Sequence, residues 1–309
     1  VLSFVKSGLE DFSVSRSFKR AKGWGVPVPG DDSQIMYVWF DALNIYQTAV
    51  GFGTDEKLYK KWWPADLHVI GKGIIRFHAV YWPAILLSAG LELPKTILVH
   101  GYITVDGQKM SKSLGNVVDP FKLLEKYPVD AIRYFLLKEI PVADDGDFSE
   151  KAMVNRINGE LVGDLGNLIY RVLSLAEKFK GKVEGKPELD KKLNLNKIKE
   201  LMEEYKLNEG LEEIWKFIRA TNKYINENEP WKLQGRELGN VLYNLLEACR
   251  VISILISPFL PDTAEKINEQ LGVKAGGLKD CEFGKFKGKI KKGEHLFKKI
   301  EHWPYKFLS

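Results

Sequence analysis

The spacing of apolar residues changes once along this chain, near residue 118, and that change limits the folds open to it. Before it, short apolar runs at 34–40, 67–70 and 96–100, with one more at 102–105, alternate with helically spaced stretches at 41–50 and 74–88. This order predicts strand, helix, strand, helix, strand, as in a parallel α/β sheet. Such sheets bind ligands beyond the carboxyl ends of their strands. Two loops fall there: Gly71-Lys72-Gly73, and the run from Asp106 to Asn116. After residue 118 no strand pattern is read. Asp119-Pro120 opens a short helix, Pro128 opens another to about 138, and 141–147 reads as an acidic linker. Asp147 and Glu150 read as a capping box for a long helix to about 180. A polar loop at 182–192 precedes helices over 193–228, 237–257 and 262–270, which together predict a helical bundle.

A chain of 309 residues, 45% hydrophobic, is long enough for two or three domains with a sizeable core. A net charge of +5 permits a polyanionic partner without requiring one. Cys249 and Cys281 have no zinc-site spacing, and two isolated thiols suit a reducing cytosol. The histidines form no ligand cluster, so no metal site is expected. The most apolar run, 251–260, is too short to cross a bilayer and is cut by Pro258; no membrane partner is expected. The lysine-rich stretch 283–309 reads as a tail packing a few aromatics rather than as a nucleic-acid patch. The chain opens at Val1 in mid-pattern, which reads as a fragment or one part of a split protein.

The most specific motif is Lys109-Met110-Ser111-Lys112-Ser113. Asp106-Gly107 before it predicts the tight turn of a β-hairpin. Two ammonium groups three residues apart, on a loop of small hydroxyl residues, can be swung onto a polyphosphate and withdrawn. The string resembles the second signature of class I aminoacyl-tRNA synthetases. Further matches narrow the resemblance to methionyl-tRNA synthetases of bacterial type: 37–43, Ile70-Gly71-Lys72, Phe77-His78, Trp82-Pro83-Ala84, His100-Gly101-Tyr102, 167–171 and Asn228-Glu229-Pro230-Trp231. The resemblance implies the end of an inserted connective segment at 1–22 and the second half of a Rossmann-like catalytic domain at 23–118. A stem-contact connector would follow at 119–147, and a helical anticodon-binding domain at 148–309. The family's His-Ile-Gly-His-like signature and its zinc-binding insertion do not occur in this sequence. An N-terminal portion is therefore expected to be missing or separate, and this chain alone to be incomplete and inactive.

By the same resemblance the chain takes part in joining L-methionine to tRNA(Met), in the cytoplasm, through methionyl-adenylate. ATP with Mg2+ is the second substrate. Lys112 and secondarily Lys109 would neutralise the departing pyrophosphate, with Ser111 keeping the loop small. Trp39, Leu43, Tyr46, Ile74 and His78 would line the methionine pocket, where a soft thioether suits aromatic edges. Without the family, His78 reads as a core histidine, and position alone does not separate pocket from core for Trp39 and Tyr46. Arg16 and Lys72 fall where the family keeps basic residues near the active site. Gly73 stands where the family has an acidic residue close to bound amino acid. Asn167 and Arg171, four apart on one helix face, and Trp231 would read and stack on the CAU anticodon. Two other readings stay open: an RNA-binding module without catalysis, and a class I synthetase for leucine, isoleucine, valine or cysteine.

Overall fold

The computed structural model describes residues 1–301; the end of the lysine-rich stretch, 302–309, lies outside the described residues. The chain divides into two compact units, Val1–Gly101 and Tyr102 onward.

In the first unit, β1 (Ser15–Ser17), β2 (Pro27–Val28) and β3 (Asp31–Met36) form an antiparallel sheet in the order β1-β3-β2. The predicted strand 34–40 is thus displaced. It ends at Met36, and Trp39 and Phe40 belong to a short helix, Val38–Ala42, with another at Ile45–Thr48. Burial decides this: a helix puts Trp39 and Leu43, four apart, on one side, where both join an apolar cluster with Trp63, Trp82 and Leu86. β4 (His68–Gly71) and β5 (Ile97–His100) pair in parallel, with Gly71 opposite His100. The connection between them is helical, as expected for a parallel crossover. It runs through a tight turn at Lys72–Ile74, a π-helical stretch at Phe77–Tyr81 and an α-helix at Trp82–Ser88. Pro83 has no N–H to donate backward, which accounts for the wider turn preceding it.

In the second unit, β6 (Ile103–Val105) and β7 (Gln108–Lys109) form the predicted hairpin. Asp106 and Gly107 both have positive φ, 49° and 74°, as a two-residue primed turn requires. The acidic linker is not structureless. It contains β8 (Gly146–Phe148), which pairs in parallel with β6. A Cβ on Gly146 would sit 2.5 Å from Cγ2 of Ile140, so the glycine is there for close packing. The expected cap also moves. Ser149, not Asp147, caps the helix Glu150–Arg156, accepting from the Ala152 N–H. That helix continues through a π-helical stretch, Ile157–Gly166, into Asn167–Lys178. The stretch expected at 193–228 is two helices, Leu195–Glu203 and Leu207–Asn228, broken where Tyr205 takes φ 59°.

These helices, with Val129–Glu139, Gly235–Ile256 and Pro261–Leu271, enclose one large core around Trp215, Phe217 and Leu245. The Gly235–Ile256 helix is long and apolar enough to cross a membrane by length and composition, yet its apolar window is 89% buried in the bundle. It also carries Glu247 and Arg250, 0% and 6% exposed, whose side chains pair at 2.7 Å. Arg250 donates to the carbonyls of Asp280 and Glu282, and Glu247 accepts from the N–H groups of Gly284 and Phe286. This pair fastens the irregular C-terminal segment to the bundle. Phe297 is buried there, and Phe283 and Phe286 pack on the core, as expected of the segment's aromatics. Burial raises both thiols, Cys281 to about 11, which leaves them as unreactive core groups.

Candidate functional site

The lysine loop is held at its base on three sides. Oδ1 of Asp147 accepts from the Thr104 hydroxyl at 2.6 Å and from the Gly107 N–H at 2.8 Å, clamping the hairpin turn. Asp145 accepts from the Tyr102 N–H at 2.7 Å. Beyond the hairpin, the Asn116 side chain accepts from the Ser111 N–H at 2.9 Å and donates to the Lys109 carbonyl at 3.2 Å. Ser111 caps a one-turn helix, Lys112–Leu114, that ends on Gly115 in the left-handed region, φ 66°. The hydroxyls of Ser111 and Ser113 lie 2.6 Å apart. Lys109 and Lys112 are exposed, with the Lys109 ammonium 5.9 Å from the Tyr102 ring centroid. The frame is fixed while the two cations project from it on long side chains.

Asn116, Thr104, Asp145 and Asp147 are residues that sequence reasoning missed. The signal was present in the Asp144-Asp145-Gly146-Asp147 run, but it reads as a solvated linker. Asp147→Ala removes a charged acceptor of two hydrogen bonds, each worth about 1.5–3 kcal/mol. Trypsin cleavage after Lys109 and Lys112 is expected to accelerate roughly tenfold or more, with cleavage after Lys182, in a loop remote in sequence, unchanged. Asp147→Asn, which keeps the acceptor oxygen, is expected to fall between. Equal cleavage rates in all three proteins would show that Asp147 does not brace the loop.

In the first unit, Trp39, Leu43, Tyr46 and His78, four of the five residues expected to line an amino-acid pocket, are brought together, and Ile74 meets His78 through its carbonyl. Trp39 stacks on Phe77 at 4.4 Å and meets the His78 ring edge-on at 6.1 Å. Leu43 is buried beside it, in the same cluster as the half-buried Tyr46. His78 is 1% exposed, and both its nitrogens are engaged. Nδ1 lies 3.0 Å from the Ile74 carbonyl and Nε2 lies 2.8 Å from the Tyr46 hydroxyl. A carbonyl only accepts, so Nδ1 donates to it. Burial raises the Tyr46 phenol, which keeps it a donor. His68, another residue the sequence did not single out, lies 4.3 Å from the Tyr46 ring. Burial, and then the neighbouring His78, lower its pKa and hold it neutral. The result is an aromatic-walled cluster.

Arg16 lies elsewhere in the unit, on β1. Its guanidinium sits 4.1 Å from the Tyr37 ring centroid and donates to the Ser13 and Ser15 carbonyls. Lys72 is exposed just after the end of β4, in the turn that leads to Ile74.

In the helical bundle, Arg171 donates to the side chain of Asn226 at 2.9 Å, a partner contributed by the Leu207–Asn228 helix. Asn167 is exposed one turn earlier on its own helix. Trp231, in the tight turn Pro230–Lys232 that follows, is 54% exposed, a large indole presented to solvent. No group of three or more His, Cys, Asp or Glu side chains placed to hold a metal occurs among the described residues.

A family model described as tRNA synthetases class I (M) matches residues 1–173, and one described as the anticodon-binding domain of tRNA ligase matches residues 192–304. Fold and matches define a class I synthetase: part of its catalytic domain followed by a helical anticodon-binding domain. Among curated relatives, a methionine–tRNA ligase of Caldanaerobacter subterraneus subsp. tengcongensis is 48% identical over 97% of this chain and 50% of its own length. One from Clostridium perfringens is 44% identical over 97% of this chain and 49% of its own length. A Mycobacterium tuberculosis methionyl-tRNA synthetase bound by methionyl-adenylate superposes with a TM-score of 0.87. It shares 39% identity, over 96% of this chain and 62% of that one. The chain belongs to the methionyl-tRNA synthetase family, and it spans about half the length of the curated relatives it matches.

Proposed function

We propose that this chain works as part of a methionine–tRNA ligase. The methionine carboxylate attacks the α-phosphate of ATP, giving methionyl-adenylate and pyrophosphate, and the terminal ribose hydroxyl of tRNA(Met) then takes the methionyl group. What supports this reading most is the braced lysine loop. Phosphoryl displacement depends on positioning and on neutralising charge that grows in the transition state. Lys112, with Lys109, would supply two ammonium groups to the departing pyrophosphate, and Ser111, Asn116 and Asp147 fix the base from which they reach. Mg2+ is assigned to the triphosphate it arrives with, as its preference for phosphate and water oxygens allows. The cluster of Trp39, Leu43, Tyr46 and His78 offers an aromatic site for an unbranched thioether, and Ile74 is assigned to the same pocket. Arg16 and Lys72 are assigned as basic residues near the active site. Asn167, Arg171 and Trp231 are assigned to the CAU anticodon, read by hydrogen bonds and by stacking on the exposed indole. The setting is a reducing cytoplasm.

A second reading is favoured by Gly73: a tRNA-binding module without catalysis of its own. Methionine-dependent ATP–pyrophosphate exchange separates the two. Exchange is expected when the chain is supplemented with the portion of the Caldanaerobacter relative that it does not match. If none occurs, the ligase reading fails for this sequence, and recovery in Gly73→Asp would locate the fault at that residue.

A further inference from the structure

A groove in the bundle lies between the Asn167–Lys178 helix and the segment from Lys292 to Glu301, with a volume of about 780 Å³. We propose that it is a second base-stacking site for the RNA loop, with the His295 ring as its platform, taking an unpaired nucleobase adjacent to the one Asn167 contacts. This rests on the assignment of Asn167, Arg171 and Trp231 to an RNA loop.

Continuity comes first. Asn167 and Tyr170, three apart on one helix face, both line this groove, so a base held by Asn167 has the groove beside it. The groove then offers a prepared stack. His295 lies on the Tyr170 ring at 3.9 Å with the planes 16° apart, and the Lys292 ammonium sits 4.1 Å from the same ring centroid. Tyr170 is half-buried, whereas His295 is exposed, so the imidazole extends a stack that begins in the bundle. The segment carrying it has no regular structure, yet it is pinned at both ends. The Lys291 N–H donates to the Gln270 carbonyl, and the Asn158 side chain exchanges two hydrogen bonds with the backbone of Ile300. Between these points Phe297 is buried. A ring fixed before binding loses little entropy when a base lies on it.

Charge narrows the ligand. Lys292, Lys298 and Lys299 line the groove, but so do Glu177, Glu294 and Glu301, and their formal charges cancel. A phosphate track would be basic. This groove instead favours the face of an unstacked base, which is how single-stranded RNA loops are recognised by proteins.

The test uses the 309-residue chain and a fluorescently labelled RNA stem-loop with CAU in its loop. His295→Ala is expected to weaken binding by at least about fivefold, the low end of a base–aromatic stack. His295→Phe is expected to restore most of it, and the slope of affinity against salt should stay as in the parent. Abasic substitution at each loop position outside CAU should reveal one position that costs the parent affinity and costs the His295→Ala protein almost nothing, the coupling a direct contact requires. Asn167→Ala and Trp231→Ala serve as the reference. If they weaken binding while His295→Ala binds like the parent, the groove is not a base site and this inference is overturned alone. If neither of them weakens binding, the anticodon assignment itself falls and takes the groove with it. A His295→Ala loss that phenylalanine does not repair, or that comes with a shallower salt slope, also rejects the stacking role.

Discussion

Lys112→Ala, in the chain completed with the unmatched portion of a relative, is expected to lower methionine-dependent ATP–pyrophosphate exchange by about two to three orders of magnitude. A preorganised positive group aimed at charge that develops only in the transition state is worth this much when removed. Methionine affinity, measured by equilibrium dialysis without ATP, is expected to change by less than about twofold. It is assigned to the aromatic cluster around Trp39 and His78, which would hold the thioether side chain equally in the ground and transition states. Lys112→Arg is expected to recover only part of the loss, because a planar guanidinium does not replace a compact point charge. Lys109→Ala is expected to cost less, since its ammonium rests near the Tyr102 ring and its place in the reaction is secondary. The Lys112 turn is only one residue removed from the Asn116 brace on Ser111, so the loop keeps its shape when the side chain is cut. A parent-like exchange rate in Lys112→Ala would overturn the assignment. A fall in exchange matched by an equal fall in methionine affinity would overturn it too, by pointing to a general collapse.

The hairpin and the helical bundle were legible because each rests on local chemistry. Asp106-Gly107 announces a turn with two positive φ angles, and the bundle helices carry long apolar stripes. What was not legible depended on partners distant in sequence. β8 is three residues long and begins with a glycine required by Ile140, so neither propensity nor period marks it as a strand. Asp147 has the residue type and spacing of a helix cap, yet Ser149 is better placed for the Ala152 N–H. The aspartate turns instead to Thr104 and Gly107, some forty positions upstream. Trp39 and Phe40 have strong β-propensity, but tertiary burial of Trp39 with Leu43 and Trp82 overrides it. The site residues named from motifs are carried by fixed strings. Their braces, Asn116, Asp145, Asn226 and His68, are ordinary residues whose roles arise only when the chain folds back on itself.

Glu247→Ala is expected to destabilise the helical unit by about 3–5 kcal/mol, because it leaves the buried Arg250 guanidinium without its carboxylate. At an m-value of about 2–3 kcal/mol per molar urea, the unfolding midpoint falls by roughly 1–2 M, measured by tryptophan fluorescence. For a simple buried ion pair, replacing both partners with apolar residues is often neutral or stabilising. Here it is expected to remain costly. Arg250 also satisfies the carbonyls of Asp280 and Glu282, and Glu247 satisfies the N–H groups of Gly284 and Phe286. Glu247→Leu with Arg250→Met strands those four backbone groups, each worth about 1–3 kcal/mol if it stays dry. The segment from Asp280 to Phe286 has a cheaper route than staying buried and unsatisfied: it peels off and lets water meet its backbone. The double variant is therefore expected to unfold in two steps, the first releasing the C-terminal segment, seen as rapid amide exchange at Gly284 and Phe286 while the Gly235–Ile256 helix stays protected. A double variant as stable as the parent, unfolding in one step, would mean that the pair contributes only charge and fastens nothing.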